Sequence, residues 1–408
     1  MHLSCICDNN KMFSMPNYKF IINKSFEKLV QYCEIEQFAG WDPYDGLNSR
    51  LFRFLQLHHS KFFRLVIIQF NKKSPINFRP ILLIPKQENP KGLALFLTAY
   101  CNLYKINLSQ KTLEIINKLA YRLIAIQSKG YSGACWGYNF DWQSRAFFLP
   151  KGTPTVVATS FAAYSLLDAY DITKNKDFLE AAISSKNFVI NDLNRTPYNK
   201  NGFIFSYSPK DKSVVFNASL LGSRLLARIY SYTNEAALLA IAKASVIACI
   251  KEQKPDGSWY YGGMSIQKWI DSFHTGYNIE SLYDYQKYSG DENFKTTIEK
   301  GLNFYKNNFF LEDGTPKYYH CKTYPIDPHA LAQYIRTMYI TRCLQHEKEN
   351  IEKSLFWVIK HMQSSKGYFY YHKEKYYTIK TPYMRWIQAW MMYGISHYLL
   401  NEKDHGTL

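Results

Sequence analysis

The feature that most restricts how this chain can fold is an internal repeat. Five segments, beginning at Thr153, Val215, Asp271, Asp327 and Thr381, share one layout: a loop carrying Pro, Thr or Asp opens a helix rich in small and aromatic residues. Aligned at Thr155, Phe216, Phe273, Pro328 and Pro382, they are spaced 61, 57, 55 and 54 residues apart, room for two helices and their loops. Between them lie more charged, amphipathic stretches at roughly 110–127, 176–191, 234–252, 291–309 and 347–362. In the last of these, Ile351, Leu355, Val358 and Ile359 recur at helical spacing while Glu352, Lys353 and Lys360 point elsewhere. Such stretches read as outer helices. Segments that are apolar on most sides, such as 162–170 and 386–393, must be covered on most sides and read as inner helices.

A helical hairpin cannot bury its own apolar face, so neighbours stack, and closing the stack into a ring removes the need for capping repeats. The expected fold class is therefore all-α, an (α/α)6 toroid. Two less regular inner helices near 45–57 and 90–105 leave seven hairpins open, or six if the N-terminal one serves as a cap. The 408 residues exceed the usual limit for one compact core, which the repeat resolves as one toroid domain over 18–400. An irregular stretch, 1–17, is expected before it and a tail, 401–408, after it.

A third repeated element follows the outer helices: Gln127 opens QSKGYSGACWGY, Gln253 opens QKPDGSWYYGG and Gln363 opens QSSKGYFYY. Its Gly supplies the left-handed residue that ends a helix, and the alternating aromatics suit a short extended loop. QKPDGSW resembles the Gln-to-Trp repeat of squalene cyclases and protein prenyltransferases. The hairpin period is similar to that of six-hairpin glycosidases, sugar 2-epimerases and uronyl 5-epimerases. Residues 40–48 (GWDPYDGLN), 136–145 (WGYNFDWQSR) and 271–277 (DSFHTGY) together resemble segments of a toroid family found among bacterial surface-polysaccharide (O-antigen or capsule) biosynthesis genes. That resemblance implies the fold and a glycan setting.

Composition narrows the function. The 34 Tyr, 27 Phe and 8 Trp suit a deep pocket with aromatic walls, although an AT-rich codon usage would also enrich Tyr and Phe. The net charge of +17 would attract a phosphate, a uronate or an anionic membrane surface, the last by peripheral association. Lys and Arg are spread along the whole chain without a basic run or nucleic-acid motif, so no nucleic-acid partner is expected. Eight cysteines show no paired metal spacing and no disulfide framework, and Cys5 with Cys7 is too little to build a site on. A zinc site at Cys321 and His329 lacks the Cys-Gly and Asp-x-Cys signatures of the zinc-holding toroids, so neither metal nor cofactor is expected. No apolar run spans a membrane and no signal layout is present, which points to the cytoplasm.

Inner-helix N-termini carry unpaired N–H groups and partial positive charge, so the loops before them are where polar residues are weighed. Asp42 and Asp45 could supply an acid and a base, or cap a helix and shape a turn. Asp141 and Arg145, among Trp136, Tyr138 and Trp142, make a glycan platform or an ion pair holding the loop. Asp271, His274, Tyr277 and Glu280 form the most concentrated set, the last three on nearly one helical face, where His or Tyr could move a proton. Asp327 reads as an N-cap before Pro328, with His329 beside it. Tyr383, Arg385 and Trp386 open the last inner helix, where the cation opposes the dipole and needs a substrate carboxylate or a nearby Asp.

The expected function is a carbohydrate-active protein that binds an acidic glycan, or a nucleotide- or lipid-linked sugar, in the toroid pocket. Uronyl epimerisation would use His274 or Tyr277 on a proton beside a carboxylate held by Arg145 or Arg385. Glycoside cleavage would need two carboxylates from Asp42, Asp45, Asp141 and Glu280. A terpene-cyclase-like enzyme would need the missing DxDD or DDxxD motif, and a non-catalytic glycan-binding scaffold would need no proton-transfer group.

Overall fold

The computed structural model describes residues 17–144, 147–199 and 202–406. Six outer helices and six inner helices alternate along the chain. The outer ones are α1 (Tyr18–Ile35), α5 (Gln110–Ala125), α7 (Lys176–Asn187), α9 (Ala236–Ile250), α11 (Lys295–Asn308) and α13 (Lys348–Met362). The inner ones are α4 (Pro90–Ile106), α6 (Val156–Thr173), α8 (Phe216–Thr233), α10 (Ser272–Ser289), α12 (Pro328–Ile340) and α14 (Ala389–Asp404). Each inner helix packs on the next, and α14 packs back on α4, so the ring closes. The chain is an all-α (α/α)6 toroid, with three short two-stranded hairpins in its loops among the described residues. Helix α14 runs to Asp404, so residues 401–404 belong to the ring and not to a tail. Of the 1–17 stretch, residues 1–16 lie outside the described residues, Cys5 and Cys7 among them.

The inner helices start where their sequences say they should. Asn89 accepts hydrogen bonds from the backbone N–H groups of Lys91 and Gly92, with Pro90 at the first helical position of α4. Thr155, Asp271 and Asp327 cap α6, α10 and α12 in the same way. One wider π turn, Met384–Gln388, leads into α14.

The Gln-to-Trp element fastens the outer wall. Gln253 Nε2 donates to Gly257 O, and across to Thr297 O on α11, at 3.0 and 2.9 Å. Gln363 Nε2 repeats this with Gly367 O and, 338 positions away, Ser25 O on α1. Gly367 has φ +95°, and a Cβ there would lie 2.3 Å from Lys28 O. Only glycine allows so close an approach between the loop after α13 and the first outer helix. Trp136 and Trp259 occupy matching places, each donating its indole N–H to a carbonyl near the end of the preceding outer helix, Leu123 and Cys249.

Among the described residues there is no seventh hairpin. The region expected to hold an inner helix at 45–57 is instead part of an insertion between α1 and α4, with helices α2 (Arg50–Phe54) and α3 (Lys61–Lys73). It caps the end of the ring where the inner helices begin. Asn71 and Ile68 face inward, and the Asn71 carbonyl accepts the Tyr383 hydroxyl at 3.1 Å. The opposite face of α3 is open: Phe62, Phe63, Val66 and Phe70 are exposed. At 100° per residue these four span an arc of about 100°.

Candidate functional site

Most of the residues singled out from sequence fall on the capped end of the ring in three groups, with a fourth group one turn deeper; Trp136 does not, and Arg145 lies outside the described residues. The first joins the insertion to the last inner helix. Arg385 Nε and Nη2 grip both oxygens of Asp42 at 2.5 and 2.8 Å. Arg79 Nε binds Asp45 at 2.8 Å and Arg79 Nη2 binds the Asp42 carbonyl, all within the buried interior. Burial pushes the Asp45 carboxyl up to about 6 against the pull of Arg79. Of the two partners foreseen for Arg385, the nearby Asp supplies the compensation. Tyr383 stands under the Arg79 guanidinium, 4.6 Å from its ring, and anchors the insertion.

The second group is an imidazole held by a carboxylate. Asp271 uses Oδ1 to cap His274 N and Oδ2 to bind His274 Nδ1 at 2.7 Å, with Trp269 Nε1 also on Oδ2 at 3.0 Å. The His274 side chain is 21% exposed, and among the described residues its Nε2 has no hydrogen-bond partner. Tyr261 lies 4.6 Å from it and stacks on Trp269, and Tyr277 stands one turn on, 5.6 Å between rings.

The third group surrounds Lys91, which the sequence reading missed. Lys91 Nζ donates to the Tyr277 hydroxyl at 3.1 Å and sits over Phe161, Tyr277 and Trp390, 4.4 to 5.2 Å from their centroids. Among the described residues no carboxylate lies within ion-pairing distance of it. Burial, and then the Arg385 charge, hold its amine well below the usual lysine range. The Tyr277 hydroxyl also meets His329 Nε2 at 3.4 Å. His329 is sandwiched between Phe273 and Trp390, and burial keeps it well below the ordinary imidazole range. Its Nδ1 is buried without a partner among the described residues. Asp327 orients this wall, capping His329 N and accepting Trp386 Nε1 and His372 Nε2 at 2.9 and 3.1 Å.

Aromatic rings close the sides. Tyr138 hydrogen-bonds Tyr207 at 2.9 Å, Trp142 leans on Tyr44 and Tyr207, and Tyr44 on Trp386. Trp136 is not among them: fully buried behind the inner helices, it is a core residue. Asp141 lies on the rim, bound by Arg53 at 2.8 Å and by the backbone N–H of Lys151. Arg145, its expected partner, lies outside the described residues.

Glu280 belongs one turn deeper. It accepts Gln333 Nε2 at 2.6 Å and Thr337 Oγ1 at 3.1 Å and pairs with Arg224 at 3.2 Å. Beside this network lies a small cavity of about 10 Å³, room for about one water, lined by Phe161, Tyr164, Asp168, Arg224, Arg336 and Tyr393 among others. The signal for Lys91 was available: a cation right after an Asn-Pro helix start opposes the dipole as Arg385 does. It was lost among 50 Lys and Arg.

Comparison with known proteins finds no family model that matches and no match among curated sequences. Solved structures do match. A cellobiose 2-epimerase from Bacillus thermoamylovorans shares 13% identity over 93% of this chain and 99% of its own, with TM-score 0.61. An unsaturated glucuronyl hydrolase specific for heparin shares 13% identity, 95% and 98% coverage, and TM-score 0.62. An α-mannanase from Bacteroides thetaiotaomicron shares 15% identity, 78% and 87% coverage, and TM-score 0.60. At this identity the likeness carries the fold, and the fold is that of the (α/α)6 toroids to which these three proteins belong.

Proposed function

We propose that this protein is a carbohydrate-active enzyme that moves a proton at a sugar carbon, as an epimerase of uronyl type would. The observation that carries the reading is the Asp271–His274 pair, an imidazole fixed at Nδ1 with its Nε2 open, its ring 5.6 Å from that of Tyr277, whose hydroxyl bonds Lys91. His274 Nε2 would take the proton next to a carboxylate or carbonyl. Lys91 would meet the negative charge that develops on oxygen, and Tyr277 would return a proton.

Hydrolysis is less well supported. It needs two carboxylates aimed at a glycosidic bond, yet Asp42, Asp45, Asp141 and Glu280 are each held by an arginine. The charged groups in the ring interior, Asp168, Arg224 and Arg336, speak against an apolar chamber for a polyprenyl chain. The sugar-processing names of the fold neighbours support a sugar as substrate, and the resemblance of the 40–48, 136–145 and 271–277 segments supports a surface-polysaccharide precursor.

The test is incubation of the purified protein in deuterium oxide with uronate-containing oligosaccharides and sugar nucleotides. Mass spectrometry should find one deuterium at the carbon next to the carboxylate or carbonyl, and none with His274→Asn. New reducing ends without exchange would overturn the reading in favour of hydrolysis. Tight binding without either would leave a glycan-binding scaffold.

A further inference from the structure

We propose that the insertion over the mouth of the ring is a docking surface for an anionic phospholipid bilayer. Two independent features of this one segment meet on its outer face. The first is apolar: Phe54, Phe62 and Ile81 are 83%, 68% and 70% exposed, and Phe63, Val66 and Phe70 stand open beside Phe62 on one arc of α3. The second is charge. Residues 46–87 contain eight Lys and Arg (Arg50, Arg53, Lys61, Arg64, Lys72, Lys73, Arg79 and Lys86) and not one Asp or Glu. Five of the eight, Arg50, Arg53, Lys61, Lys73 and Lys86, are exposed.

No other stretch without Asp or Glu is longer than the 27 residues 375–401, so a carboxylate-free run of this length is a property of the cap and not of the whole chain. An amphipathic helix with Phe on one side and Lys or Arg around it lies in a bilayer interface, its rings among the acyl chains and its cations at the headgroups. Arg53 and Lys86 are paired with Asp141 and Glu36, which leaves Arg50, Lys61 and Lys73 without a carboxylate among the described residues; a second copy of this chain fits less well, since a two-fold contact would set these cations against themselves. No helix of the described residues is long and apolar enough to cross a membrane, so the contact would be peripheral.

The surface lies directly above the site. Lys72 Nζ bonds the Tyr44 hydroxyl at 3.0 Å, and the Tyr44 ring rests 5.5 Å from Trp386, which binds Asp327. A docked ring would thus open beside the headgroup layer. The docking itself does not depend on the proton-transfer chemistry proposed for the site.

Flotation of the purified protein with phosphatidylcholine vesicles containing 30 mol% phosphatidylglycerol should recover it with the lipid at low salt, and pure phosphatidylcholine vesicles should recover at least tenfold less. Phe54→Asp and Phe62→Asp, both at open positions, should each lower recovery several-fold and together abolish it, while Phe20→Asp on α1 should not. Failure to float with the anionic vesicles would overturn the proposal, as would recovery that the cap variants leave unchanged. A dimer in sedimentation velocity that Phe62→Asp dissociates would assign the face to a second copy instead.

Discussion

Lys91 is the residue on which the site's chemistry turns, because it is a buried amine with aromatic rings and a phenol around it and, among the described residues, no counter-ion. Replacing it with Met keeps the length of the side chain and removes an amine whose charged form burial disfavours, a change expected to be neutral or stabilising. Lys91→Met should therefore unfold in urea at an equal or higher midpoint while turnover in the deuterium-exchange assay falls by more than about 100-fold. A lower midpoint with unchanged exchange would make the lysine a packing residue. Sequence reasoning reached its neighbours Tyr277 and His329 because they lie in the repeated inner-helix starts. It did not reach Lys91, whose distinction is the burial of an ordinary-looking cation. Trp136 shows the reverse error: aromatic neighbours in sequence suggested a sugar platform, whereas the indole N–H is spent on Leu123 O. Pattern reveals which residues stand near a loop, but not whether a side chain turns toward the cavity or behind the helix.

At the level of elements, the helical hairpins were legible because each had to bury one face, and that requirement writes itself into the spacing of apolar residues. The insertion was not, since apolar residues at 62, 63, 66 and 70 have helical spacing whether they face a core or open outward. The loops after the outer helices offer a sharper test of how the ring is fastened. Gly367→Ala forces a Cβ against Lys28 O at a positive φ, and should cost roughly 1–3 kcal/mol in chemical denaturation. Gly130→Ala shares the positive φ, +84°, but meets nothing within 4 Å, and should cost about 1 kcal/mol or less. Equal losses for the two would mean that the α1 contact contributes nothing beyond local backbone strain.

For the whole molecule, pH bears on the ring through histidines that it keeps neutral. Burial holds His329 and His397 well below the ordinary range. Arg336 Nη1 donates to His397 Nε2 at 2.5 Å while His397 Nδ1 donates to the Tyr393 carbonyl, an arrangement only the neutral ring can satisfy. Both would take up protons near pH ~6.5 in the unfolded chain, so the unfolded state binds more protons below that value and stability falls as pH drops. Between pH ~7.5 and ~6 the two together should remove about 1.5 kcal/mol, and His397→Gln should halve the slope of unfolding free energy against pH. Asp45, with its carboxyl raised to about 6, acts in the opposite sense, losing stability as pH rises through the range from ~4 to ~6. The histidine effect is therefore read above pH ~6, and a flat profile there would contradict it.

The bond from Gln363 to Ser25 also sets an order of events during synthesis. Because its two ends are 338 positions apart, helix α1 leaves the ribosome with its partner wall still untranslated. Its buried positions, Ile22, Phe26 and Leu29, must wait for α13 and the loop that follows it. Nascent chains stalled before that loop should accordingly keep α1 open to protease, and chains released after it should not.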